Sequence, residues 1–414
     1  MSRHTKIILI ALAGLILLGV LLYQIPTIQN RLDWRLEIAK TYIHGIFYPV
    51  GALPTPLPVT PEPVTPTTAQ PQTVNGQPTP TLALPPTPTV PPFPTQVSLP
   101  TTAWEHEDMN NCGPATLTMA LHMYAWVGDQ FDISKVIKPV RADRNVNPDE
   151  LVWWVRNYAG WLRAEYRVNG DLTLLRRLMA AGFPVIVETT FKLDPSDSGR
   201  PNDDLWAAHY LLLTGYDDTA QTVIGQDPYH GPDQIIPYTT LEESWRPFNH
   251  VYLLIYLPDQ EGQLRDILGS DWDVDANRRN ALNATQAETV SHLEDAFAWF
   301  NYGSNLVYFE QYNEAARAYD TARTLGTLPQ RMLRYQFGPF FAYFNSGRID
   351  DLLALTKYAL EITDKSEEAW LWQGWGLYRK GDLTGAVRAW QRALEIRPGY
   401  PDAQSAIDFL KSTP

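Results

Sequence analysis

The chain contains a single cysteine, Cys112, within the stretch HEDMNNCGPATLTMAL. A cysteine directly before Gly-Pro-Ala and an apolar run of helical spacing would stand at a helix N-terminus. There the macrodipole and the unpartnered N–H groups favour a thiolate. Such a thiolate can attack a carbonyl if a histidine takes its proton and an acceptor orients that histidine. His209 heads the apolar run AHYLLLTGYDD, and Asp227 follows in VIGQDPYHG. If those runs pair as a hairpin, Asp227 stands beside His209 as the orienting carboxylate. Read singly, each residue also has a purely structural role open to it. Cys112 fits a small buried apolar residue, His209 a satisfied core histidine, and Asp227 a turn residue before Pro228. A lone cysteine and scattered histidines show no metal-ligand spacing, so neither a metal nor a cofactor is expected.

The elements that must position these groups are legible in the periodicity. ATLTMALHMYAW, NPDELVWWVRNYAG and DLTLLRRLMAAG have helical spacing; Pro114 suits a first turn, as do Asp149 and Glu150, and Gly182 closes the third helix. The period then changes. PVIVETTF, HYLLLTGYDD, TVIGQDPY and HVYLLIYLP are short Val-, Ile-, Leu- and Tyr-rich runs bounded by Gly, Pro, Asp and Asn, as strands are. Helices first and strands afterwards predict an α+β domain over residues 99–258.

Taken in order, NNCGPATLTMAL, GFPVIVET, AHYLLLTGYDD and GQDPYHG resemble the C39-like cysteine peptidases. The resemblance implies a papain-like fold acting on a peptide or protein substrate, with Cys112 as nucleophile, His209 as general base and acid, and Asp227 as orienter. Some family members precede bacteriocin exporters and cut leader peptides after a double glycine; this chain shows no nucleotide-binding motif to support that substrate. In the family a glutamine shortly before the cysteine donates to the oxyanion, whereas this chain has His106 and Glu107 there. An ionised Glu107 is an acceptor only and would repel the developing charge. The remaining donors are a protonated Glu107, His106, Asn110 or Asn111, together with the Cys112 backbone N–H. A fold kept without turnover, as a peptide-binding or scaffold protein, is the alternative reading.

The flanks suggest where this chemistry would happen. An apolar run from Ile7 to Tyr23 follows Arg3 and Lys6, which predicts a single-pass membrane anchor with a cytoplasmic N-terminus and extracytoplasmic domains. A cleaved signal peptide is the rival, although the following YQIPTIQN lacks small residues of the cleavage type. Outside the cytoplasm an odd cysteine reads as a reactive thiol. A juxtamembrane helix is expected next, and residues 51–98 read as a Pro- and Thr-rich disordered linker serving as a stalk. Residues 259–292 form a polar connector. Residues 293–414 show self-similar units resembling tetratricopeptide repeats, an all-α domain with a cap helix and a protein-partner surface. The last unit carries Trp370, Gly374, Tyr378, Gly381, Ala386, Trp390, Ala393 and Pro398, and the first carries Trp299, Gly303, Ala315, Tyr319 and Ala322. With 33 Lys and Arg against 46 Asp and Glu, the net charge of −13 gives nucleic acid no electrostatic foothold.

Overall fold

The computed structural model describes residues 3–58, 93–101, 103–141, 143, 145–195 and 200–412. Helix α1 (Arg3–Tyr23) includes one stretch, Thr5–Tyr23, long and apolar enough to cross a membrane, and none of it is buried. By length and composition it fits a span or a signal sequence equally. Helix α2 (Pro26–Phe47) starts on a proline, whose fixed φ suits a first turn. Its far end is packed: a Cβ at Gly45 would lie 2.8 Å from Cδ of Pro201.

The α+β domain is built on one antiparallel sheet. Its strands are β1 (Gln96–Ser98), β2 (Arg163–Arg167), β3 (Val185–Lys192), β4 (Trp206–Asp217), β5 (Thr222–Asp227), β6 (Gly231–Pro237) and β7 (Tyr252–Tyr256). They run in the order β2-β7-β3-β4-β5-β6, with β1 paired to the far end of β4. The expected β4–β5 hairpin is present, with Leu212 opposite Gln226. Both faces of the sheet are covered. On one side α3 (Cys112–His122), α4 (Gln130–Ile137) and α5 (Pro148–Tyr158) enclose a core of Leu117, Leu121, Ile133, Trp154, Ile186 and Leu253. On the other, α6 (Leu172–Ala180) and α7 (Tyr238–Trp245) cover Val187, Leu213, Tyr216 and Leu254. Burial of a sheet on both faces explains why its central strands read as continuous apolar runs.

Residues 259–292 are more than a connector. They hold α8 (Glu261–Leu268) and α9 (Val274–Ser291), and α9 is stitched to the sheet. The buried Asn277 side chain accepts from the Val168 N–H at 3.1 Å and donates to its C=O at 2.9 Å. One amide thus replaces a strand partner, which a polar composition does not advertise.

The helical region that follows comprises three hairpins, α10 (Ala296–Tyr308) with α11 (Tyr312–Thr324), α12 (Gly338–Asn345) with α13 (Ile349–Ile362), and α14 (Glu367–Arg379) with α15 (Leu383–Ile396), closed by α16 (Pro401–Ser412). Its small residues are there for close approach. A Cβ on Gly303 would lie 2.9 Å from the Tyr319 ring, and one on Gly374 only 2.3 Å from Nε1 of Trp390. The two contacts recur at the same spacing in the first and last hairpins.

The reading of residues 51–98 as one continuous stalk does not hold at its start. Gly51–Leu57 lies against the helical hairpins. The Tyr358 hydroxyl donates to the Gly51 C=O (2.9 Å), Arg323 Nε donates to the Pro54 C=O (2.9 Å), and the Leu57 N–H donates to Asp351 (3.1 Å). Leu53, 8% exposed, joins the core containing Phe340, Leu352 and Leu355. Prolines block a regular ladder, but three side chains supply the partners that a strand would have given. Residues 59–92 of the linker lie outside the described residues. Because Gln96–Ser98 then pairs with β4, both ends of the Pro-rich segment are fixed to the folded body.

The sheet domain and the helical region share a buried acidic seam. Asp143, Glu150, Glu367 and Glu368 converge there with Arg397 and Lys138. Glu368 accepts from the side chains of Asn145 and Asn147, both at 3.4 Å. Burial, with Glu368 alongside, pushes Asp143 up to about 8; burial also lifts Glu367 and Glu368 well above the ordinary carboxylate range.

Two outcomes follow from this architecture. Leu53→Ala removes roughly 2 kcal/mol of docking, so the Leu57 amide exchanges with deuterium ~30-fold faster while α10–α16 keep their protection. Carboxyls with raised folded-state pKa values stabilise below their ordinary range, and that contribution fades as pH climbs through the raised values. Thermal unfolding should therefore shift to lower temperature as pH climbs from the ordinary carboxylate range to about 8, and Glu368→Gln should flatten that slope.

Candidate active site

Cys112 opens α3, and Gly113 lets that helix lie close on β4: a Cβ there would sit 3.3 Å from the Tyr210 ring. Thr116 donates to the Tyr210 C=O at 3.1 Å, and the Tyr210 hydroxyl donates to the Val146 C=O at 2.9 Å. These contacts place the first turn of α3 against the strand that carries His209. As the first residue of the helix, Cys112 also has an N–H without an intrahelical acceptor.

The structure brings Cys112, His209 and Asp227 together. His209 is 2% exposed, and its Nε2 lies 2.8 Å from Asp227 Oδ1. A carboxylate can only accept, so Nε2 carries the hydrogen and Nδ1 of the neutral ring is left as an acceptor. Nδ1 is 3.8 Å from Oε2 of Glu107. The ligand atoms of Cys112, His209 and Glu107 all fall within 4.8 Å of one another. Asp227 is itself held: it accepts from the N–H groups of Tyr229 (2.8 Å) and His230 (3.0 Å) and from Nδ1 of His230 (2.7 Å), and its own C=O accepts from the Trp104 indole (2.8 Å). Phe191 packs its ring 4.8 Å from His209 and 5.3 Å from Tyr229, walling off the pair.

Electrostatics follow from this enclosure. Burial opposes a charge on His209, but the bonds to Asp227 and Cys112, with Glu107 nearby, outweigh it and raise its pKa well above the ordinary value. Burial would also raise Asp227; the hydrogen bond and charge of His209, with the bonds from His230, win and hold it well below the usual carboxylate range. Glu107 goes the other way. Burial raises its pKa, only partly offset by His209.

The expected oxyanion donors separate clearly. Glu107 faces the site, and its buried Oε2 has no hydrogen-bond partner among the described residues. Asn110, at φ +55°, lines the same cavity with its buried amide nitrogen unpartnered among the described residues. Asn111 instead donates to Gln130 at 2.7 Å, and Nδ1 of His106 donates to the Glu107 C=O at 2.7 Å. Asn111 therefore holds the loop. Gln130 is the residue the periodicity did not reveal. Buried at the start of α4, it donates to Glu105 and the His106 C=O and accepts from the Asp108 N–H and Asn111. His230 was likewise not singled out, although it stands in the same DPYH turn as Asp227.

Among the described residues, two triads bring metal-ligating atoms within 4.8 Å: Glu107, Cys112 and His209, and His209, Asp227 and His230. Glu107, Cys112 and His209 show no ligand spacing in the sequence because they come from separate segments and meet only in the fold. His209 belongs to both, so neither can hold an ion without occupying the imidazole that faces the thiol.

All of this opens on a cavity of about 590 Å³ bordered by Asn110, Cys112, Glu188, Phe191, His209 and, from the helical region, Arg334 and Tyr335. Asp108, on its rim, is clamped by Arg141 through a two-bond fork.

The sequence model of the peptidase C39-like family matches residues 92–253, and that of the tetratricopeptide repeat matches residues 367–400. Among solved structures, one described as a C39-like peptidase from Bacillus anthracis aligns at 20% identity and a TM-score of 0.32, covering 39% of this chain and 97% of the other. A double glycine motif protease from an AMS/PCAT transporter, in complex with a leader peptide, aligns at 20% identity and 0.28, covering 39% and 94%. YrrB, a TPR protein with an unusual peptide-binding site, aligns at 17% and 0.20, covering 35% and 89%. A search of curated proteins gives no match. With its antiparallel sheet and Cys112 at the head of α3, the segment 92–253 is a C39-like peptidase domain, followed by a helical region containing a tetratricopeptide repeat.

Proposed function

We propose that this chain is a membrane-tethered, extracytoplasmic cysteine peptidase whose helical repeats dock a protein partner. The observation that carries the reading is the direction of His209: Nε2 is committed to Asp227, which leaves Nδ1 facing Cys112. In the reaction, the Cys112 proton passes to Nδ1, whose raised pKa holds it there while Sγ attacks the peptide carbonyl. The negative oxygen is met by the Cys112 N–H and the Asn110 amide. His209 then returns the proton to the leaving amine as the C–N bond breaks, leaving a thioester on Sγ. Water deprotonated by Nδ1 attacks that thioester, and the acid product departs as the thiol regains its proton. The apolar run Ile7–Tyr23 within α1, preceded by Arg3 and Lys6, supports the tether and its orientation.

Glu107 tunes this chemistry. Its raised pKa keeps a neutral carboxyl available below that value, and a neutral carboxyl is an O–H donor for the oxyanion. As pH rises through the raised value, the donor becomes a repelling anion. A catalytically impaired, peptide-binding domain is the competing reading, favoured by that same orphaned carboxylate.

At neutral pH, iodoacetamide should alkylate native Cys112 at least ~10-fold faster than the denatured chain, and His209→Ala should remove the difference; equal native and denatured rates would refute the peptidase reading. Turnover of a peptide pool, followed by mass spectrometry against a Cys112→Ala control, should fall on the alkaline side. Glu107→Gln supplies a donor at every pH, so the variant-to-wild-type rate ratio should sit near one in acid. Toward alkaline pH it should grow to ~10²-fold.

A further inference from the structure

The cavity above the thiol has a second wall, and it comes from the helical region. The short turn Met332–Arg334 is fixed on the start of β4: Arg331 donates to the Trp206 C=O at 2.9 Å, and the Tyr335 ring lies 5.7 Å from that of Trp206. Gln336 adds a bond to the Pro247 C=O at 2.7 Å. Arg334 is thereby held at the border of the same cavity as Cys112 and His209.

Arg334 is 6% exposed, yet no carboxylate pairs with it among the described residues. Its buried Nε has no acceptor there either, and its aromatic neighbour, Tyr335, is 6.0 Å away. The surrounding charges make this costlier. Arg200 and Arg331 crowd the same corner, and Asp203 is already engaged by Arg331. The other strong cation on the cavity wall, Arg141, is neutralised by Asp108. A guanidinium removed from water without a counter-charge costs several kcal/mol, so proteins normally pair it. The missing anion has room in the cavity, and a planar fork selects a planar carboxylate.

We propose that Arg334 is the carboxylate-recognition point of the cleft, so that the substrate is an acidic peptide bound through a side-chain or C-terminal carboxylate. The proposal rests on the peptidase reading for its peptide ligand. It makes the helical region part of the substrate site, with the cleft specific only when both halves of the chain are in place.

The lone thiol provides the test. Full-length protein in detergent is alkylated at Cys112 by chloroacetyl di- and tripeptides of four kinds, and rates are read by intact mass. The kinds end in Gln-amide (no carboxylate), Glu-amide (side chain only), Gln with a free terminus (terminus only) and Glu with a free terminus. In wild type, carboxylate members of at least one length should react about tenfold faster than their Gln-amide counterparts. Whether the Glu-amide or the free-terminus series shows it identifies the source. Arg334→Gln should bring the ratio to about one, and Arg334→Lys should retain part of it. No carboxylate preference at any length, or a preference that persists in Arg334→Gln, overturns the proposal. The ratio is read at pH 8.5, where even an unactivated thiol alkylates. A carboxylate preference without native-state acceleration by iodoacetamide would thus sink the peptidase reading and leave this one standing.

Discussion

The 2.8 Å bond from His209 Nε2 to Asp227 Oδ1 is the constraint on which the site depends. An imidazole has two nitrogens, and the chemistry available to Cys112 is set by which one is occupied. The β4–β5 pairing makes that choice by placing Asp227 at the end of the strand beside His209. The rest of the arrangement protects it. Trp104 fixes the Asp227 backbone, His230 fixes its second oxygen, and Phe191 keeps water from competing for the ring. Even the loop leading to Cys112 is tied in, because the Glu107 N–H donates to the Pro228 C=O at 2.9 Å.

This pairing was legible in the sequence because it is a product of local rules. Two apolar runs separated by a short turn predict a hairpin, and His209 and Asp227 fall where such a hairpin brings them together. The apolar helix after Cys112 and the α+β class were legible for the same reason. What escaped notice depends on contacts between distant segments. Gln130 reads as an ordinary first-turn residue until four partners from the loop 105–111 surround it. Asn277 sits in a polar helix with no apolar face to announce that it substitutes for a strand. Arg334 lies in the turn between the first and second helical hairpins, where an arginine on the surface is unremarked; only the packing of its turn on β4 reveals it as buried.

The acidic seam shows a related economy. Asp143, Glu150, Glu367 and Glu368 would repel one another if all were ionised, yet they sit at the junction that fixes the orientation of the helical region. Their raised pKa values and the Arg397 bridge make the junction tolerable, at the expense of a dependence on the surrounding medium. Elsewhere the junction relies on neutral amides. Asn249 donates to Asn305 at 2.9 Å, and Asn301 donates to the Arg246 C=O at 2.8 Å, contacts that carry no such dependence.

The docking of Gly51–Leu57 has a consequence for the partner docking proposed for the helical region. That segment is covalently attached to the body it binds, so its local concentration is of order millimolar whatever the abundance of the protein. An external peptide seeking Arg323, Asp351 and Tyr358 would compete against this built-in occupant and lose unless its intrinsic affinity were far higher. Any partner of ordinary affinity would therefore be confined to the remaining faces of the helical region, because Gly51–Leu57 already occupies this one.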